Sequence, residues 1–243
     1  MDAISRLGLR LITIDRPGLG MSDAIPGWTL EDWVFDIQEF TRSRGLPRLA
    51  ALGYSIGAPF ALACAAAGVV TGTAVVSGTD EIAHPMFAAS LEPEALLLVR
   101  RVADDHEAAA RQLASAASAE ALFEVVTGTR CAGDRHVYDD PSFQHAYRRA
   151  LAEGFTQGPE GYARETALAA ARWPFDPADI SVPVDLWYSQ HDTNPFHSPD
   201  LGATLAARIP TARRYVLADT GAAFLWTHTE DIFSTLLGRI AEN

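Results

Sequence analysis

Gly53-Tyr54-Ser55-Ile56-Gly57 sets one serine between two glycines at a spacing that suits nucleophilic chemistry. A serine oxygen attacks a carbonyl only when it is exposed, held in one direction and relieved of its proton by a neighbour. The surrounding residues supply the first two conditions. An apolar run, Leu49 to Leu52, leads into the pentapeptide, and a run of small residues, Ala58 to Ala67, leads out. That order predicts a strand, a sharp turn and a helix, the arrangement of a nucleophile elbow. The serine backbone in such a turn is strained, and side chains at Gly53 and Gly57 are expected to collide across it. The competing reading is a glycine-rich loop whose serine caps a helix.

The elements that must position Ser55 follow from patterning. Short apolar segments at Leu11 to Ile14, Leu49 to Tyr54, Gly72 to Val76, Val184 to Tyr188 and Arg214 to Leu217 read as buried parallel strands. They alternate with helices, which implies an α/β fold with a mostly parallel sheet flanked by helices. Leu30, Trp33, Val34, Ile37 and Phe40 follow helical spacing, with Thr29 and Asp32 as a capping box and Gly45 as a stop. A last helix is expected from about Glu230 to Ile240. Between about Ile82 and Trp173 no strand pattern appears; blocks rich in Ala, Leu, Glu and Arg predict an all-helical insertion. Such an insertion suits a cap over a pocket. The expected division is therefore a core of residues 1–82 and 175–243, with a cap of residues 83–174.

Composition narrows the function classes. The 243 residues and 48% hydrophobic content suit one domain with a substantial core. A net charge of −12 argues against nucleic acid, whose phosphates demand a basic face. Cys64 and Cys131 have no metal-site or redox-pair spacing, and Cys64 is expected to be a small buried apolar residue. No metal or cofactor is expected. Neither a signal peptide nor a membrane-spanning run is visible, so the expectation is a cytoplasmic, soluble protein.

At this point the chain resembles a cap-bearing, lipase/esterase-like α/β-hydrolase. Four blocks carry the resemblance: Ile14-Asp15-Arg16-Pro17-Gly18-Leu19-Gly20-Met21-Ser22-Asp23, like the loop after that family's fourth strand; the elbow; Ser189-Gln190-His191-Asp192, like the acid loop after the seventh strand; and Tyr215 to Ile232, like the eighth strand and final helix. The resemblance implies Ser55 as nucleophile, Asp192 as the acid that orients an imidazole, and the N–H of Ile56 as an oxyanion donor. The glycine usual near the start of the acid loop is here Ser189.

Two departures qualify this. The family's histidine sits in the loop after its last strand, which here aligns it with Gly221 or Ala222. Neither takes a proton. His228 is the nearest substitute base, while His191, His197 and His84 read as loop or rim residues. Secondly, the family begins with about three strands and a His-Gly type loop that have no counterpart before Met1, so its N-terminal strands are missing here. A truncated chain or misassigned start is the favoured explanation, because a missing third strand leaves central strands unpaired. The alternatives are five strands closing into a smaller sheet, or pairing by a second chain. The resemblance implies a serine hydrolase of a small apolar ester, amide or lactone, weakened by the lost base. The alternatives are a pseudoenzyme with a binding pocket, or lyase-like chemistry on the same fold.

Overall fold

The computed structural model describes residues 3–46, 48–128 and 131–242; Met1, where the chain's start was questioned, lies outside them. Among the described residues four strands form one parallel sheet: β1 (Ala51–Tyr54), β2 (Thr73–Val76), β3 (Val184–Ser189) and β4 (Ala212–Leu217), in the spatial order β1-β2-β3-β4. Gly53 pairs with Val75, Val75 with Leu186, and Leu186 with Arg214.

The two-residue period of the strands divides the core between the faces of the sheet. Val75, Leu186 and Tyr188 point to one face, where they meet Phe60, Leu62, Leu205 and Trp28. Ala74, Val76 and Trp187 point to the other, where Phe224, Ile232 and Leu236 cover them. The helix Ala58–Ala66 directly follows the elbow and is buried almost throughout, including Cys64. Burial pushes the Cys64 thiol up to about 12, so it is inert as a nucleophile. The helix Leu30–Arg44 carries the expected capping box between Thr29 and Asp32 and ends at Gly45 in the left-handed conformation.

One expected strand does not form. Leu11 to Ile14 has no strand partner, and its Leu11 is 61% exposed. A strand exists only through its ladder, and among the described residues β1 pairs with β2 alone. The five-strand sheet is therefore replaced by four strands, with β1 at an edge.

Between β2 and β3 the described elements are all helical, the main ones being Pro93–Asp104, His106–Ala114, Ala119–Gly128, Pro141–Gly154 and Glu160–Ala170. This layer is fastened to the core through the loop that follows Asp15. The Gly20 N–H donates to the Gly154 carbonyl, and Gln157 donates to the carbonyls of Gly20 and Ser22. Arg16 forks onto Glu165, with Nη2 2.7 Å from Oε2. The Arg16 guanidinium also lies 4.4 Å from the Phe60 ring centroid. No helix among the described residues is long and apolar enough to cross a membrane.

Candidate active site

Ser55 sits at the C-terminal end of β1 with φ of 51°, a strained conformation for a residue with a side chain. Its turn is tight on one side only. A Cβ at Gly53 would lie 2.7 Å from the Gly57 carbonyl oxygen, so Gly53 is sterically required. Gly57 is not: nothing lies within 4 Å of its added Cβ, and its φ is −71°. The collision expected at both glycines holds at the first alone, because the backbone at Gly57 has already entered the helical conformation. The turn places the Ile56 N–H at the opening of the short helix Ser55–Gly57, just before Ala58–Ala66. Its first internal bond is Ala58 N–H to Ser55 carbonyl.

The imidazole that reaches the serine is that of His197. Its Nε2 lies 3.0 Å from Ser55 Oγ, and its Nδ1 lies 2.6 Å from Asp192 Oδ2. Asp192 closes the loop after β3, as the resemblance implied, and the histidine follows it by five residues in that same loop. The His197 side chain is 4% exposed and that of Asp192 2%. Burial raises the Asp192 pKa, but the hydrogen bond and charge of His197, the Asn194 N–H and the Ser77 hydroxyl outweigh it and hold the carboxyl below its ordinary value. Asp192 is thus poised to orient the ring and to stabilise its protonated form.

His228, the substitute base suggested by the sequence, is not brought to Ser55. Its Nδ1 lies 2.8 Å from the neighbouring Thr227 hydroxyl, directly after the short helix Phe224–Thr227. His84 instead accepts from the Met86 N–H, and His191 is exposed. His197, read from the sequence as a loop or rim residue, instead has its ring buried between Ser55 and Asp192; no local motif announces this, since Ser55 lies 142 residues away.

The segment Ser77–Asp80, which follows β2, stitches these parts together. Ser77 donates its hydroxyl to Asp192 at 2.9 Å, and Thr79 donates its hydroxyl to the Phe196 carbonyl at 2.8 Å. The Thr79 N–H donates to the Ser55 carbonyl, and the Gly78 carbonyl accepts from the Ser198 N–H. Ser198 donates to Asp80 at 3.3 Å. Four consecutive residues therefore touch the nucleophile, the acid and both chain neighbours of the base.

The loop after β4, where the family's histidine would fall, is filled by other groups. Asp134, from the helical layer, accepts from the N–H groups of Gly221 and Ala223. Ser189 donates its hydroxyl to the Thr220 carbonyl, so the residue replacing the usual glycine ties this loop to β3.

Above Ser55 lies a cavity of about 1230 Å³, lined by Ser55, Ile56, His197, Arg16 and side chains of the helical layer.

A parallel sheet with a strained serine at a strand-to-helix turn, joined to a histidine and a buried aspartate, defines an α/β-hydrolase architecture. The chain belongs to the α/β hydrolase family, whose sequence model matches residues 2–234. Similar solved structures include a bromoperoxidase from Bacillus anthracis, at 18% identity and a TM-score of 0.67, covering 99% of this chain and 84% of that one. An esterase from Exiguobacterium antarcticum has 18% identity and a TM-score of 0.63, with coverage of 98% and 85%. The enol-lactonase from Burkholderia xenovorans LB400 has 20% identity and a TM-score of 0.63, with coverage of 92% and 78%. Comparison with curated protein sequences gave no match.

Proposed function

We propose that the protein is a serine hydrolase that cleaves an uncharged ester or lactone through an acyl-enzyme on Ser55. The observation that carries this reading is the continuous chain Ser55–His197–Asp192, with contacts of 3.0 and 2.6 Å, at the wall of a large cavity. In the forward step His197 Nε2 takes the hydroxyl proton as Ser55 Oγ bonds to the carbonyl carbon. Asp192 stabilises the imidazolium through Nδ1. The Ile56 N–H, at a helix start, donates to the oxyanion. His197 then passes its proton to the leaving alkoxide, and water repeats the sequence to release the acid. The helical layer acts as a cap that keeps bulk water from the acyl-enzyme.

The pseudoenzyme alternative rested on the want of a base, and His197 leaves it without that support. Labelling with a fluorophosphonate probe tests the proposal. Labelling is expected in the unmodified protein and lost in Ser55→Ala. An unlabelled native protein, or labelling that survives Ser55→Ala, refutes it.

A further inference from the structure

The length of the substrate is written into the walls of the cavity, provided the hydrolase reading holds. At about 1230 Å³ the space exceeds the roughly 300–1000 Å³ of ordinary small-molecule pockets. A short acyl ester would leave most of it filled with water against apolar side chains. Leu91, Leu98, Leu113, Leu122, Val126 and Leu151 come from five segments of the helical layer and line one continuous space with Ser55 and His197. Leu97 and Phe196 line it too, and are 47% and 42% exposed, which gives the opening an apolar lip.

The charged groups lining the cavity are few, and most are paired or exposed. Arg16 and Glu165 neutralise each other through two contacts, and Asp192 is committed to His197. Arg101, exposed toward solvent, donates to the Gln112 side-chain carbonyl at 2.7 Å. Glu92 and Glu94 add two exposed carboxylates. Arg101 is thus a lining cation whose contact is with a neutral amide, while the whole chain carries a net charge of −12.

We infer that the cavity is built for an ester bearing a medium-to-long apolar acyl chain, which runs from Ser55 beneath the helical layer. Each methylene that moves from water into this space adds a transfer free energy that the transition state shares with the ground state. It therefore acts on kcat/KM.

The test is a chain-length series of p-nitrophenyl esters: acetate, butyrate, octanoate and laurate. Specificity is expected to rise from acetate to octanoate by up to about fourfold per methylene, with the maximum beyond butyrate. Leu113→Trp, on the helix His106–Ala114, is expected to move that maximum toward shorter chains. A maximum at acetate or butyrate overturns the inference while leaving the hydrolase reading in place. Failure to turn over any ester, together with no fluorophosphonate labelling, refutes both.

Discussion

The carboxylate of Asp134 accepts hydrogen bonds from Gly221 N–H at 3.1 Å and from Ala223 N–H at 3.0 Å. This one side chain, 1% exposed, closes the loop in which the α/β-hydrolase resemblance places a histidine. A Cβ on Gly221 would stand 2.0 Å from Asp134 Oδ2. Restoring a histidine at the family position by Gly221→His is therefore expected to lower the melting temperature and to leave ester turnover no higher. A rise in turnover without loss of stability would contradict the assignment of the base to His197. Asp134→Ala is expected to cost about 1–3 kcal/mol, because it strands two buried N–H groups; chemical denaturation reads this directly.

His197→Ala is expected to lower kcat by about 10⁴ or more, the scale set by removing members of such a triad elsewhere. His228→Ala should change it by less than twofold, since His228 bonds only to Thr227 among the contacts that its ring makes. Steady-state kinetics of the two variants side by side decides between the two histidines.

Thr79 has no chemistry of its own in this scheme, yet its hydroxyl holds the carbonyl of the residue before His197. Thr79→Ala is expected to reduce kcat by roughly ten- to a hundredfold through a looser base, with a smaller change in KM. Thr79→Ser keeps the hydroxyl and should recover most of the rate. If serine does no better than alanine, the contact does not position the base.

Asp80 makes stability depend on pH. Burial lifts its carboxyl from 3.8 to about 7, against the Glu81 N–H, Arg208 and the Ser198 hydroxyl, with Asp200 adding to the rise. The folded state then binds a proton that the unfolded chain releases near pH 4. Stability from this group is full below that pH and declines as pH climbs toward 7, by roughly 4 kcal/mol in all. Asp80→Asn is expected to flatten this decline in urea midpoints measured from pH 4 to pH 8. An unchanged slope would place the titration elsewhere.

Most of the core could be read from the chain because its signals are local. The box at Thr29 and Asp32, the left-handed stop at Gly45 and the strand-to-helix junction at Ser55 each depend on neighbours a few residues away. Asp192 was reachable because it closes a recognisable strand. What escaped depends on distant partners. Leu11 to Ile14 has the composition of a strand but no ladder to join, and composition does not report a missing neighbour. His197 lies 142 residues from Ser55, and only the fold brings the two together. The filling of the β4 loop by Asp134 is a contact between the helical layer and the core, with no motif to announce it.

The acid and the base share a single short loop, whereas the family arrangement divides them between two. A shift of that loop would move Asp192 and His197 together, so in the proposed mechanism the 3.0 Å reach to Ser55 is the contact that such a shift changes first. The final helix then supplies no reacting group and serves the sheet instead, its Arg239 bonding Asp185 of β3 at 2.6 Å.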